Sequence, residues 1–273
     1  ELCDVIIKML RLLANCSISS AVGSRLSSNY DLMQMLHDLI QLKDEANQTS
    51  SPIRSSFEEL VLNAIAACTN ITFFMDKSKI TDKFGDVLID LTASVGGSLF
   101  DENEEIILES ARAIGNLSRC SSAVRALCHY RTDEALVLLS AHRSGAVRLA
   151  AVGALVNLST AGIDGNTQSD YLRSNEGSII ALVSALRRSS FGQMKLSILI
   201  CKIFYNLLHC NVDHSHFCEY SMGWKSLENT ITEMVECAEE IIAEEGNNNC
   251  SDHAELIAIV RPILLRLTQL ELN

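Results

Sequence analysis

Apolar side chains recur along this chain every three or four residues, the spacing that gathers them on one face of an α-helix. Between 104 and 118 the stripe is Ile106, Ile107, Ser110, Ala113, Ile114 and Leu117; Glu104 and Glu105 suit the helix start, and Arg112 and Arg119 its end. Between 145 and 159 the stripe is Val147, Leu149, Ala150, Ala151, Ala154, Leu155 and Leu158, with small residues that let a neighbouring helix lie close. Stretches 56–74 and 191–209 are longer versions. Shorter helices are predicted ahead of them: 121–129 and 133–141 before the helix that Gly145 opens, then 167–174 and 177–187 before a long one over 190–209.

The long helices end alike, in a phrase of the form apolar-small-x-Asn-apolar-Ser/Thr. It reads Leu13-Ala14-Asn15-Cys16-Ser17, Cys68-Thr69-Asn70-Ile71-Thr72, Ile114-Gly115-Asn116-Leu117-Ser118 and Leu155-Val156-Asn157-Leu158-Ser159, and returns degraded as Phe204-Tyr205-Asn206-Leu207-Leu208. These asparagines stand 55, 46, 41 and 49 residues apart. A period near ~40–47 residues marks a helical solenoid, in which each unit buries its apolar face only against its neighbours. The predicted units are 17–74, 75–118, 119–159 and 160–210, three helices each. Residues 1–16 are the last helix of a partial unit, and 211–273 form a terminal cap with helices over 214–245 and 252–270. Asp252 is expected to cap the last helix, and Pro262 to kink or break it. Polar residues 43–56 read as an inserted surface loop, Gly96-Gly97 as a turn, and Gly246-Asn247-Asn248-Asn249 as a flexible connector.

Composition agrees with an all-α chain. Only 2 prolines and 13 glycines punctuate 273 residues, and 48% of them are hydrophobic. A net charge of −12 argues against bulk nucleic-acid binding, which needs a basic surface. Acid collects late, at Glu228, Glu233, Glu236, Glu239, Glu240, Glu244 and Glu245, read as a solvated helix face. The stripe of that helix (Ile231, Met234, Val235, Ala238, Ile241, Ile242) is expected to pack on the preceding unit. Ten cysteines without a compact framework read as reduced thiols in an intracellular, cytoplasmic setting. No apolar run reaches the ~18–20 residues of a membrane span, so no membrane partner is expected. The chain begins at Glu1 instead of Met and is expected to be a fragment of a longer protein.

Candidate chemistry is sparse. His209, Cys210, His214, His216 and Cys218 place five zinc-type ligands close together, yet at a spacing that matches no compact finger, so no metal is assigned. Cys128 and His129 are adjacent, and helical neighbours point about 100° apart. No Gly-x-Ser-x-Gly, Walker-type or dinucleotide motif occurs. No catalysis and no cofactor are expected.

Three-helix units whose third helix closes in "Ala-Leu-x-Asn-Leu-Ser" resemble armadillo repeats. The closest matches are 110–118 (Ser-Ala-Arg-Ala-Ile-Gly-Asn-Leu-Ser) and 151–159 (Ala-Val-Gly-Ala-Leu-Val-Asn-Leu-Ser). The resemblance implies a right-handed superhelical solenoid, third helices lining a groove, and phrase-ending asparagines that hold the backbone of an extended peptide. That role carries to Asn70, Asn116 and Asn157, and by weaker matches to Asn15 and Asn206. A carboxamide has both donor and acceptor, so it can pair with a peptide C=O and N–H at once. Capping of the helix end is the alternative role for the same amides. One turn earlier stand Arg11, Arg112 and Lys202, which would make the groove basic. Nuclear-import receptors of this fold carry tryptophan at that position; here the sole tryptophan, Trp224, lies outside any third helix. The spelling is also similar to the armadillo-repeat-containing proteins of cilia and flagella, the second numbered family above all, which implies an adaptor in axoneme assembly or transport with an axonemal complex as partner. The expected function is a non-catalytic scaffold binding a peptide or partner helix in the groove. The rival is a permanent structural subunit that uses convex faces.

Overall fold

Each asparagine phrase closes a helix in the computed structural model. It describes residues 2–46, 51–76, 82–160, 172, 175–189, 192–209, 221–245 and 251–271, and among these all regular structure is helical. The chain divides into two compact units, Glu1–Ala135 and Leu136–Asn273.

In the first unit, α1 (Leu2–Ser17), α4 (Ser51–Phe73) and α6 (Glu104–Leu117) end in the phrases of Asn15, Asn70 and Asn116. They stack in that order, α1 on α4 and α4 on α6. Between them come α2 (Ser20–Leu26), α3 (Tyr30–Ala46), α5 (Asp82–Gly97) and a 3-10 turn over Ser98–Phe100; α7 (Ser121–His129) and the start of α8 (Thr132–Leu139) follow. Helix α3 packs on α4 and α5, and α5 on α6 and α7. The start of α6 shows the local cause of a helix end. Asn103 is extended, and its side-chain oxygen accepts from the Glu105 N–H at 2.9 Å, satisfying one of the donors that a helix start leaves open. From there Ile106, Ile107, Ala111, Ala113, Ile114 and Leu117 are buried. Gly23 is needed for space: a Cβ there would lie 2.7 Å from the Ser17 carbonyl oxygen and overlap the Phe74 ring.

In the second unit, α9 (Gly145–Ser159) and α11 (Met194–His209) carry the phrases of Asn157 and Asn206 and pack on each other. Around them lie α10 (Glu176–Ser189), α12 (Ser221–Glu245) and α13 (Ser251–Glu271). Phe204, fully buried on α11, meets Trp224 of α12 edge to face at 6.0 Å. The stripe of α12 buries Ile231, Met234 and Ala238, and this helix packs on α10 of the preceding repeat and on α13. Cys68 and Cys201 lie fully inside their units, and burial pushes each thiol up to about 12.

Several expectations need correction. Most of the polar stretch 43–56 is helical: α3 runs through Ala46 and α4 starts at Ser51, with Pro52 in its first turn, where no N–H is required. Gly96 and Gly97 end α5 instead of forming a turn, and Gly97 has an ordinary helical φ of −60°. Helix α6 ends at Leu117, which leaves Arg119 beyond it. Helix α13 runs through Pro262 without a break, and Ser251, one residue before Asp252, is already helical. The long helix read over 190–209 begins at Met194. The connector 246–249 and all of the short helix 167–174 except Leu172 lie outside the described residues.

Candidate functional site

The phrase residues are spent first on the fold. Its Ser/Thr side chains turn back onto their own helices: Ser17 Oγ donates to Leu13 O at 2.6 Å, Thr72 Oγ1 to Cys68 O at 2.7 Å, Ser118 Oγ to Gly115 O at 2.9 Å, and Ser159 Oγ to Val156 O at 2.8 Å. All four residues are buried. They lie near the helix end, where carbonyls run out of backbone donors.

Three of the five asparagines, Asn70, Asn116 and Asn206, reach across to the preceding long helix, each to the same place. Asn70 Nδ2 donates to Ala14 O at 2.9 Å and Asn116 Nδ2 to Thr69 O at 2.8 Å. In the second unit Asn206 Nδ2 donates to Val156 O at 3.3 Å and to Ser159 Oγ at 2.9 Å. The carbonyl acceptor is each time the residue just before the phrase asparagine of the preceding long helix. The amide is thus a staple between successive repeats. At Asn70 and Asn116 one of the two amide N–H groups is thereby engaged within the chain. The Oδ1 atoms of Asn70, Asn116 and Asn206 accept from no donor among the described residues, and the three side chains are half-exposed. Asn15, at the start of the series, is exposed, and its amide has no partner among the described residues. Asn157 is half-exposed at the end of α9.

The basic residues one turn earlier are each matched by a carboxylate. Arg11 pairs with Glu59 of α4, Arg112 with Glu109 of its own helix at 2.6 Å, and Lys202 with Glu255 of α13 at 2.8 Å. The third-helix surface is therefore zwitterionic instead of basic. Such exposed pairs hold weakly, at about 0–1 kcal/mol, so an incoming charge can exchange with either member.

Sequence reasoning missed a further cluster at the end of α4. Phe73 is 59% exposed. The Arg119 guanidinium lies 5.6 Å from its ring centroid, and its Nη2 donates to Thr72 O at 3.1 Å and Phe73 O at 2.7 Å. Arg119 thus closes the helix of the previous repeat. The legible signal was the Phe73-Phe74 pair directly after a phrase. Another apolar surface lies on α1, where Val5, Met9 and Leu12 are exposed, although their counterparts Leu60, Ala64 and Ala67 on α4 are buried.

Of the five zinc-type residues, His209 ends α11, stacked on Tyr205 at 4.2 Å with Nδ1 3.0 Å from the Tyr205 carbonyl oxygen. Cys210, His214, His216 and Cys218 lie outside the described residues. Among the described residues no group of three or more potential ligands comes together, and no single helix is long and apolar enough to cross a membrane.

No family model matches the chain. It is similar to the protein named Armadillo repeat-containing protein 2 of Mus musculus, 27% identical over 203 residues, which is 74% of this chain. The chain spans about a fifth of that relative's length, 22%. A crystal structure of computationally designed armadillo repeat proteins for modular peptide recognition superposes over 92% of this chain and 90% of its own, with a TM-score of 0.62 at 17% identity. A designed armadillo repeat protein in complex with peptide (KR)4 covers 92% of this chain and 98% of its own, with a TM-score of 0.56 at 17% identity. The chain has the armadillo-repeat fold.

Proposed function

We propose that this chain is a non-catalytic scaffold that holds an extended segment of a partner protein along the phrase-bearing helices. The observation that carries the reading is the common register of the asparagines. On α1, α4 and α6 the amides occupy equivalent positions on stacked helices, and Oδ1 of Asn70 and Asn116 accepts from no donor among the described residues. A row of fixed acceptors suits the N–H groups of an extended backbone and is indifferent to its side chains. Arg11 and Arg112 with their carboxylate partners then select charge in the first unit, and Lys202 with Glu255 does so in the second, where Asn157 and Asn206 form a corresponding pair. The fold likeness to designed peptide-binding armadillo proteins supports the same reading. Replacing Arg112 and Asn116 together is expected to weaken partner binding while the helical circular-dichroism signal persists. Unchanged affinity in a titration would count against the groove.

For the biological setting we propose axoneme assembly or transport in a cilium or flagellum, with cytoplasmic loading of an axonemal complex. The support is the similarity to Armadillo repeat-containing protein 2 together with the spelling of the repeats. Crosslinking mass spectrometry on the protein from its native cells tests both points, since it reports the partner and the face used. One observation favours the structural-subunit reading: an N–H of each of three amides and all three basic side chains are already engaged within the chain. Crosslinks confined to α3, α5 and α10 would establish that role.

A further inference from the structure

The second unit carries a cleft of opposite character to the rest of this acidic chain. It lies at the starts of α9 and α11 and the end of α10, with a volume of about 270 Å³. Arg143, Arg148 and Arg188 line it together with His142 and Gln193, and no described lining residue is a carboxylate. Arg148 is held in place by neutral acceptors alone: Nη1 donates to His142 O at 2.6 Å and Arg143 O at 3.0 Å, and Nη2 to Gln193 Oε1 at 3.0 Å. Its orientation is fixed, and it meets no carboxylate among the described residues. Arg188 is exposed and makes no hydrogen bond or ion pair among the described residues.

The first unit shows what the same junction looks like when it is closed. There Lys43 near the end of α3 and Arg54 in α4 meet Asp101 at 2.8 Å and Glu102 at 3.5 Å, two residues just ahead of α6. The place Glu102 holds, two residues before the long helix of the next repeat, belongs in the second unit to Gly192, and Gln193 follows it. Both junctions carry cations, at different helix positions, and the carboxylate of Glu102 has no counterpart at Gly192. We propose that this cleft is a binding site for a phosphate monoester on a serine or threonine of a partner protein, with Arg148 as the fixed anchor and Arg188 closing over it.

A phosphate fits better than a carboxylate because two guanidinium forks can share its three terminal oxygens, and such pairs are the strong form of hydrogen bond. The volume is below that of drug-sized pockets and suits one phosphoryl group with its side chain. A protein source fits better than an anionic membrane. The chain carries −12 overall, and α12 of the same unit bears a run of glutamates, so a dense anionic surface would be repelled where a single phosphate is not. Arg148 lies nine residues from Asn157, roughly 14 Å along α9, so failure here leaves the scaffold reading untouched.

The test uses the full 273-residue chain, isotope-labelled on arginine and glycine, titrated with N-acetyl-phosphoserine N-methylamide. Saturable shifts of the Arg148 and Arg188 Nε–H signals and of the Gly145 amide are expected. Arg188→Gln should weaken the interaction about tenfold while leaving the helical signal unchanged, since that side chain supports nothing in the fold. The equivalent blocked glutamate should bind more weakly. Absent or unsaturable shifts, equal binding by Arg188→Gln, or equal binding of the blocked glutamate would overturn the proposal. So would sedimentation with phosphatidylserine vesicles that depends on Arg188, which would assign the cleft to a membrane.

Discussion

Exchanging Asn116 for aspartate and for alanine separates the two jobs assigned to its amide. Alanine removes donor and acceptor; aspartate removes only the donor. The amide nitrogen lies 2.8 Å from Thr69 O, a carbonyl that also accepts Thr72 Oγ1 at 3.2 Å. Losing the amide therefore leaves no orphaned acceptor, and Asn116→Ala should cost about 1 kcal/mol, the net worth of an ordinary hydrogen bond. In Asn116→Asp an anionic oxygen faces that carbonyl in a half-buried position, and the total cost should reach ~2–3 kcal/mol. Part of this, ~0.3–1 kcal/mol, comes from a negative charge at a helix C-terminus. Asn15→Asp isolates that part, because Asn15 has the same helical position and no bonded acceptor among the described residues. Urea denaturation followed by circular dichroism reads all three. Binding of a partner segment should rank the other way, with aspartate retained better than alanine because it keeps an acceptor. Equal stability losses for the aspartate and alanine variants would show that no carbonyl faces the amide position at this joint, and the register argument would fail with it.

Two further outcomes are expected. Gly23→Ala should lose ~1–3 kcal/mol, since the new methyl meets the Ser17 carbonyl and the Phe74 ring; a thermal melt superimposable on the parent would contradict the packing described. The buried thiols Cys68 and Cys201 hold their protons up to about 12, against an ordinary 9.0, so the folded chain binds these protons more tightly than the unfolded one. Their contribution is complete below about pH 9 and declines as pH climbs toward 12, by ~1.4 kcal/mol per pH unit per thiol. Urea midpoints at about pH 8 and pH 10 should therefore diverge less in a Cys68→Ala/Cys201→Ala variant than in the parent.

What could be read without coordinates was the periodic part. Helix α7 was predicted at its observed bounds, α9 likewise, and all five phrases do close helices, because apolar spacing and a repeated spelling are local signals. Two kinds of feature escaped. Polar stretches such as 43–56 looked like loop because exposed helix ends are also polar, and Lys43 is polar there in order to meet Asp101. Pro262 looked like a breaker, yet α13 packs on both α11 and α12, and burial there outweighs one missing N–H. The site was half legible. The amides stood out by repetition, but their acceptors lie 56, 47 and 50 residues away, and Glu59 and Glu255 are 48 and 53 residues from the cations they neutralise. Nothing in the local sequence reports a partner at that distance.

The staple has one more consequence, for how the chain can be made. Asn70-Ile71-Thr72 and Asn116-Leu117-Ser118 spell acceptor sequons for N-linked sugar, and the atom a glycan would occupy is the amide nitrogen that bridges to Ala14 or Thr69. The hydroxyl that the transferase reads is buried and turned inward in both. A sugar on either nitrogen would sit at a joint between repeats and leave a single N–H for the bridge. Production through a secretory host would decorate the nascent chain before its joints could form, whereas a host that attaches no sugar leaves them free to lock.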